Sequence, residues 1–152
     1  MKSSKRIKMH HTIAEFFDTR LPYFKGARQI RRVLARFMTP PLHPPQRVLT
    51  RYGFDIMLST DHDAIDIELH QYGTYEAGTL HIISQCLQKG DVFIDIGANI
   101  GLMSLLGAIE VGKSGSVYAF EPVPDTFGLL QTNLFINQIH NVYALNFGLG
   151  ST

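Results

Sequence analysis

The sequence is poor in cysteine and in long apolar runs. Among its 152 residues there is one cysteine, Cys86, so an internal disulfide and a redox CxxC pair are both excluded. Cys86 lies within a helical apolar pattern, which predicts a buried and unreactive thiol. No apolar run approaches the ~20 residues that cross a bilayer, and the basic start of the chain lacks the apolar core of a cleaved signal peptide. These absences favour a cytoplasmic protein.

Acidic residues are scarce in the first part of the chain. Residues 1–40 contain ten lysines and arginines and two acids, whereas residues 41–152 contain four and eleven. A helical pattern covers the first 38 residues, and four prolines follow within residues 39–45. Because proline continues neither a helix nor a central strand, these residues predict a linker. We therefore predict a basic helical arm with its linker over residues 1–45 and a second domain over residues 46–152.

The basic arm permits two interpretations. In its second helical piece most of the arginines lie off an apolar face, which consists of Ile30, Val33, Leu34 and Phe37. Such a helix packs on a domain and leaves its basic face in solvent, or it binds a membrane surface or a partner. The second interpretation would place the protein at the periphery of a membrane. The sequence leaves both interpretations open.

Residues 46–152 alternate between strand and helix patterns. Upstream of residue 90 the patterns predict strands over residues 47–52 and 54–58, a short mixed segment over 61–70 and a helix over 76–87. From residue 90 onward they predict, in order, strand Val92–Ile96, a helix over 101–110, strand Ser116–Phe120, a helix over 125–137 and strand Val142–Leu145. This β-α-β-α-β order implies an α/β fold with a parallel sheet.

The mixed segment combines residue types that bind metals. Its sequence, DHDAIDIELH, contains His62, Asp63, Asp66, Glu68 and His70. The spacing of the two histidines matches no structural zinc site, and helical geometry would scatter the acids around the axis. We therefore predict a solvated polar segment and no metal site.

A glycine-bearing loop follows the strand Val92–Ile96. The stretch VFIDIGANIG contains Gly97 and Gly101, and in a parallel sheet such a loop lies at the carboxyl edge, where ligands bind. It differs from the dinucleotide fingerprint G-x-G-x-x-G, because Asn99 stands where the middle glycine is expected. Asp95 would repel a pyrophosphate. The loop therefore favours an adenosine cofactor without phosphate.

S-adenosylmethionine is a cofactor of this kind. Asp95 would accept a charge-assisted hydrogen bond from its ammonium group, directly or through water. The backbone amides of the loop and of the next helix would bind its carboxylate. Glu121 follows the second strand of this order, twenty residues after Gly101, and would accept hydrogen bonds from both ribose hydroxyls. NAD(P) or FAD is the weaker alternative.

The residues from Gly90 to about Leu149 resemble the FkbM-type methyltransferases, a branch of the class I enzymes that use S-adenosylmethionine. The motifs DIGANIG and AFEP carry the resemblance, and GTYEAGTL upstream is similar to the G-x-Y-E segment of the family. The resemblance implies a Rossmann-like fold and O-methylation of a hydroxyl on a sugar or natural product. It therefore implies a small-molecule or glycan acceptor and no nucleic acid.

The resemblance also implies roles for individual residues. The predicted cofactor-binding residues are Glu76, Asp95, Gly97, Asn99, Gly101, Glu121 and Asn146. Those of the glycine loop and its strand would line the methionine end. Glu121 would hold the ribose, Glu76 would face the methionine or the acceptor, and Asn146 would lie near the adenine. The catalytic base is unassigned. Tyr75 and Glu76 are the only candidates near the loop, and neither is given the role.

The chain departs from the family in its length. Class I enzymes resemble one another in a seven-stranded sheet, whereas this chain ends after the third core strand. We therefore expect a truncated form with an exposed apolar edge on the first core strand. The alternative is a catalytically inactive fragment or cofactor-binding remnant that acts, if at all, through a partner or a membrane. The oligomeric state is left open.

Overall fold

The computed structural model of the chain describes residues 43–59 and 64–150. These residues belong to two compact units, the first made of residues 43–53, 58–59 and 64–75 and the second of residues 54–57 and 76–150. The predicted basic arm lies outside the described residues, apart from the end of its linker. The predicted boundary at residue 45 therefore stays a prediction.

The first unit contains strand β1 (Gln46–Leu49) and helix α1 (Ala64–Tyr72). Strand β1 ends earlier than predicted because the chain turns over residues 51–53. The Gly53 amide donates a hydrogen bond to the Thr50 carbonyl across this turn, at 3.3 Å. The predicted strand therefore includes residues 51 and 52, which belong to the turn.

Helix α1 corrects the prediction for the mixed segment. Within the helix Leu69 is fully buried and Asp66 is only 3% exposed. The Asp66 carboxylate accepts a hydrogen bond from the Ser59 amide at 3.0 Å. The prediction of a solvated segment is wrong at this residue, because a backbone donor compensates the burial of the carboxylate. His62 and Asp63 lie outside the described residues.

The second unit contains most of the predicted elements. In chain order they are strand β2 (Asp55–Leu58, whose last residue belongs to the first unit), helix α2 (Ala77–Cys86), strand β3 (Val92–Ile96), helix α3 (Leu102–Val111), strand β4 (Ser116–Phe120), helix α4 (Pro124–Ile136) and strand β5 (Val142–Leu145). Strands β3, β4 and β5 have the predicted bounds, and each helix begins and ends within one residue of its prediction.

Strands β3, β4 and β5 form a parallel sheet in that order. Val92 lies opposite Ser116 at the start of β3, and Ile96 lies opposite Phe120 at its end. The carboxyl ends of the three strands therefore meet at one edge of the sheet. The predicted α/β class with a parallel sheet is confirmed.

One face of this sheet is packed. Val117 on β4 lies in a buried cluster with Ala108 and Val111 of α3, and Phe93 and Val142 pack against this cluster. The packing is close, because a Cβ added at Gly107 would lie 2.5 Å from a ring atom of Phe93. Side chains alternate along a strand, so Val92, Ile94 and Ile96 point to the face opposite that of Phe93 and Asp95.

The opposite face of the sheet is exposed and apolar. Val92, Ile94 and Ile96 on β3 are 63%, 56% and 66% exposed. Next to them the rings of Tyr118 on β4 and Tyr143 on β5 stack with their centroids 5.1 Å apart. Strand β3 is also an outer strand of this sheet among the described residues. The exposed apolar edge expected from the sequence is therefore present there, next to the exposed face.

Helix α2 corrects the prediction for the cysteine. Leu80 and Ile83 form its buried face, whereas Cys86, its last residue, is exposed. The apolar spacing predicted the helix correctly, but the thiol lies off the buried face. Among the described residues no helix combines the length and the apolar character required to cross a membrane.

Candidate functional site

The glycine loop, residues 97–101, lies at the carboxyl edge of the sheet, between β3 and α3. The amides of Gly97 and Ala98 both donate to the Phe120 carbonyl at 2.9 Å. Phe120 is the last residue of β4, so these bonds hold the start of the loop against the end of the neighbouring strand. The two strand ends and the loop therefore form one hydrogen-bonded edge.

The glycines of the loop answer two different needs. Gly101 has a φ of +93°, and a Cβ built on it would lie 2.5 Å from Leu130 Cδ1 of α4. Gly97 has a φ of +79°, but nothing lies within 4 Å of the corresponding position. Gly101 thus allows close packing of the loop on α4, whereas Gly97 leaves open space beside the end of β3.

Asn99 occupies the position where a dinucleotide loop has its middle glycine. Its φ of 51° is in the left-handed region, which asparagine tolerates better than most residues because its side chain bonds locally. Here Asn99 Oδ1 accepts a hydrogen bond from the Ile100 amide at 2.7 Å. The side chain therefore stabilises the turn, and the backbone amide points elsewhere.

That amide donates to Glu121, the first residue after β4. Glu121 is 6% exposed; its Oε2 accepts from the Asn99 amide and its Oε1 from the Val123 amide, both at 2.9 Å. Its own amide donates to the Leu145 carbonyl of β5 at 3.1 Å. A carboxylate oxygen can accept two hydrogen bonds. Each oxygen thus has the capacity to accept one further hydroxyl, in a fixed position.

Asp95 lies on the packed face of β3 and is 7% exposed. Ser104 Oγ, on the first turns of α3, donates to Asp95 Oδ2 at 2.5 Å. Burial raises the pKa of Asp95 above its ordinary value, the hydrogen bonds from Ser104 oppose this rise, and the charge of Glu121 adds to it. The edge of the sheet therefore carries two interacting buried carboxylic groups.

The loop amides differ from the sequence-based expectation. We expected them to bind a ligand carboxylate, but each of the five has an acceptor within the protein: the Phe120 carbonyl for Gly97 and Ala98, Glu121 for Asn99, the Asn99 side chain for Ile100, and the Ala98 carbonyl for Gly101. That expectation is not met within the loop, because the end of β4 and the turn itself together bring an acceptor within reach of every amide.

The structure joins Asn146, but not Glu76, to these residues. Asn146 Nδ2 donates to the carbonyls of Glu121 and Pro122 at 2.8 and 3.3 Å, so the side chain holds the segment after β4. Glu76 is exposed before α2, with a φ of 48°, and its carboxylate accepts from Thr79 Oγ1 at 3.3 Å. These contacts of Glu76 stay within the first turn of α2. Its predicted role at the cofactor stays a prediction.

Two polar residues of the site escaped the sequence analysis. Ser104 holds Asp95, and the fully buried Asn133 of α4 bonds to the loop at Ile100. Both interrupt apolar helix faces, Ser104 between Leu102 and Leu105 and Asn133 beside Leu134. Each could have been found in the sequence as a polar residue on an apolar helix face, since a polar group buried there requires a hydrogen-bond partner.

A curated relative matches part of the chain. It is the 31-O-demethyl-FK506 methyltransferase FkbM of Streptomyces tacrolimicus, with 45% identity over 47 residues, which are 31% of this chain and 18% of the relative. The resemblance to an FkbM-type enzyme is therefore confirmed over these residues. The chain spans less than a fifth of the length of that relative in the match. No family model matches the chain.

Solved structures match a larger part. M. jannaschii TYW2 in complex with AdoMet superposes with a TM-score of 0.53 at 19% identity, over 68% of this chain and 44% of that one. A SAM-dependent methyltransferase from Agrobacterium tumefaciens gives 0.51 at 9% identity, over 70% and 33%. The chain shares the fold of S-adenosylmethionine-dependent methyltransferases. Trm5b of Pyrococcus abyssi superposes with a TM-score of 0.51 at 21% identity, over 67% of this chain and 28% of that one. The predicted Rossmann-like fold is confirmed as a part of these larger chains.

Proposed function

We propose that the second unit is the cofactor-binding part of an S-adenosylmethionine-dependent methyltransferase. We further propose that the acceptor is a hydroxyl group on a sugar or other small natural product. The name of the FkbM relative, a 31-O-demethyl-FK506 methyltransferase, supports the second part. The arrangement of the loop and the two acids supports the first.

The observation that carries the proposal is the anchored carboxylate of Glu121. Hydrogen bonds from Asn99 and Val123 fix both of its oxygens at the carboxyl edge of the sheet. In Rossmann-like sites an acid at this place binds the two hydroxyls of a ribose. Because the same glycine loop donates one of the anchoring bonds, the loop and the ribose site are positioned together.

The charge of the site favours this cofactor over a dinucleotide. Burial raises the pKa of Asp95 and the charge of Glu121 adds to this rise, so the two groups are close enough to interact. A pyrophosphate would add two negative charges beside them, whereas a sulfonium and an ammonium group would lower the electrostatic energy. Gly97 provides the open space in which such a ligand would meet the end of β3.

The residues present would bind and orient the cofactor. When bound, S-adenosylmethionine supplies a methyl group activated by the adjacent sulfonium. Glu121 would hold the ribose, and Asp95, oriented by Ser104, would provide negative potential at the methionine end. Positioning of this kind supplies much of the rate of a direct displacement.

A calorimetric titration with S-adenosylhomocysteine tests the cofactor assignment. The wild-type chain is expected to bind it, and Glu121→Gln to bind at least about tenfold more weakly, because the amide nitrogen cannot accept the bonds that the carboxylate accepts. Glu110→Gln, the same change in the last turn of α3, is the matched control. Binding of NADH in place of S-adenosylhomocysteine would refute the assignment.

The acceptor class requires a separate assay. Transfer of a labelled methyl group is measured to a panel of hydroxylated small molecules and glycans, with RNA as the comparison. We expect label in the hydroxylated compounds, stable to the mild base that cleaves methyl esters. Label in RNA alone would contradict the acceptor assignment and leave the cofactor assignment standing.

A further inference from the structure

We propose that Asn133 is a positioning residue, which fixes the glycine loop by joining it to strand β2 through the interior of the second unit. Asn133 lies in α4 and is fully buried. Its Oδ1 accepts a hydrogen bond from the Met57 amide at 2.7 Å, and its Nδ2 donates to the Ile100 carbonyl at 2.8 Å. The proposal gives this residue a role in cofactor binding and to that extent rests on the function proposed above.

The chemistry of the amide side chain suits this link. It must accept from one backbone group and donate to another at the same time, and asparagine presents both atoms on a short, stiff side chain. An apolar residue of similar size would remove both bonds, the part-buried one from the Met57 amide and the buried one to the Ile100 carbonyl. The loop carbonyl would then move to find another donor.

Asn133 acts together with a packing contact from the same helix. Leu130, one turn earlier on α4, occupies the space beside Gly101 where a side chain would otherwise be. Helix α4 therefore touches the loop twice in consecutive residues, at Ile100 through a hydrogen bond and at Gly101 through packing. The two contacts together fix the end of the loop where α3 begins.

A shift of the Ile100 carbonyl would reach the ribose site directly. The peptide that precedes it contains the Ile100 amide, held by Asn99 Oδ1 at 2.7 Å, and the Asn99 amide binds Glu121 at 2.9 Å. These two bonds and the bond from Asn133 lie on the backbone of two consecutive residues, Asn99 and Ile100. Loss of the Asn133 bond would therefore disturb the donor that orients Glu121.

Asn137 provides a matched control within the same segment. It lies one turn after Asn133 and also clamps β2, accepting from the Asp55 amide at 2.8 Å and donating to the Asp55 carbonyl at 2.6 Å. Its Nδ2 bonds further to the Asn133 carbonyl at 2.7 Å. Asn137 thus shares the link to β2, whereas the bond to the loop belongs to Asn133.

The experiment compares Asn133→Ala and Asn137→Ala in the full chain. S-adenosylhomocysteine affinity is measured by calorimetry well below the melting temperature of each variant. Amide hydrogen exchange is measured in the ligand-free proteins. For Asn133→Ala we expect binding weaker by roughly tenfold and faster exchange of the Asn99 and Gly101 amides than in wild type. For Asn137→Ala we expect a lower melting temperature, affinity within about twofold of wild type and unchanged exchange in the loop.

Equal effects of the two variants on affinity and loop exchange would overturn the proposal, because they would show a general loss of stability. Wild-type affinity in Asn133→Ala would also overturn it. Should Asn133→Ala fail to fold, Asn133→Asp keeps the acceptor for Met57 and, when ionised, lacks the donor for Ile100. Asn133→Asp is therefore expected to show the same faster exchange of the Asn99 and Gly101 amides that we expect for Asn133→Ala. If the wild-type chain does not bind S-adenosylhomocysteine, the proposed function fails, and the exchange measurement alone still decides the role of Asn133.

Discussion

At the level of single residues, Gly97 and Gly101 should respond differently to the same substitution. Gly101→Ala combines a left-handed φ with a contact of 2.5 Å to the buried Leu130, so we expect a loss of about 2–3 kcal/mol in unfolding free energy. Gly97→Ala meets no atom within 4 Å and should cost about 1 kcal/mol, from its φ alone. Urea denaturation of both variants measures the difference.

Gly97→Ala, the variant expected to lose less stability, should have the larger direct effect on ligand binding. A methyl group at Gly97 would project into the open space assigned to the cofactor, so Gly97→Ala is expected to lose S-adenosylhomocysteine binding while remaining folded. Retained wild-type affinity in this variant would place the ligand elsewhere. The measurement thus distinguishes a glycine needed for a ligand from one needed for packing.

Asp95 makes a second residue-level prediction, on pH dependence. Burial raises the pKa of Asp95 in the folded protein, so its contribution to stability is fully present below the ordinary pKa of the unfolded chain. It is lost as the pH rises through the higher folded pKa. The unfolding free energy of wild type relative to Asp95→Asn should therefore fall with rising pH across that window and be constant above it.

Ser104 provides the control for this titration. Its hydroxyl hydrogen bond favours the ionised form of Asp95 and opposes the effect of burial. In Ser104→Ala we therefore expect the pKa of Asp95 to rise further and the fall in stability to extend to higher pH. A pH profile of wild type that parallels Asp95→Asn throughout would show that the carboxyl is not desolvated in the folded protein.

At the level of elements, substitutions at adjacent positions of strand β3 should differ strongly in their effect on the unfolding free energy. Phe93 packs against the cluster of α3 and β4, so Phe93→Ala should cost about 2 kcal/mol of unfolding free energy. Ile94 is 56% exposed on the other face, so Ile94→Thr, which keeps a β-branched residue, should stay within about 0.5 kcal/mol of wild type. Chemical denaturation tests both; equal losses would mean that both faces are covered.

The elements themselves were largely predictable from the sequence. Strands β3, β4 and β5 follow their apolar runs because glycine, acidic residues or asparagine bound each of them. The ends of α2, α3 and α4 differ from their predicted bounds by one residue, and none of the three N-cap residues makes a side-chain hydrogen bond that would mark the start of its helix. Strand β1 was harder to predict because a turn shortens it. Helix α1 was harder to predict because one of its buried residues, Asp66, is acidic, so the sequence does not show an apolar helix face.

The candidate site was predictable in its acids and glycines but not in its connections. Asp95, Gly97, Gly101 and Glu121 could be placed together because the carboxyl ends of parallel strands meet at one edge of a sheet; their roles at a cofactor stay a prediction. Asn133 could not, because its partners are backbone groups 76 and 33 residues away in sequence. Backbone hydrogen-bonding groups are the same at every residue, so their positions become informative only in the folded chain.

At the level of the whole molecule, the exposed face of the sheet predicts dye binding by the native protein. Val92, Ile94 and Ile96 lie beside the stacked pair of Tyr118 and Tyr143, and a continuous apolar surface of this kind binds hydrophobic dyes. We expect fluorescence of an anilinonaphthalene sulfonate dye with the native protein, and a clear decrease in Ile94→Lys.

Phe135 supplies the control for the dye experiment. It is 83% exposed on α4 and lies outside the sheet face, so Phe135→Ser should leave most of the fluorescence unchanged. An equal decrease in both variants would show that the dye responds to total apolar exposure. No change in Ile94→Lys would show that the face is not accessible to a molecule of this size.

The internal pairing of all five loop amides has a consequence for the thermodynamics of binding. A loop that already satisfies its own backbone does not have to fold around an incoming molecule, so little conformational entropy is lost at that step. The heat-capacity change of binding should then reflect the surface covered by the ligand and contain no contribution from ordering a peptide segment. If the loop binds the cofactor as proposed, the entropic cost of its shape is met when the chain folds, before the ligand arrives.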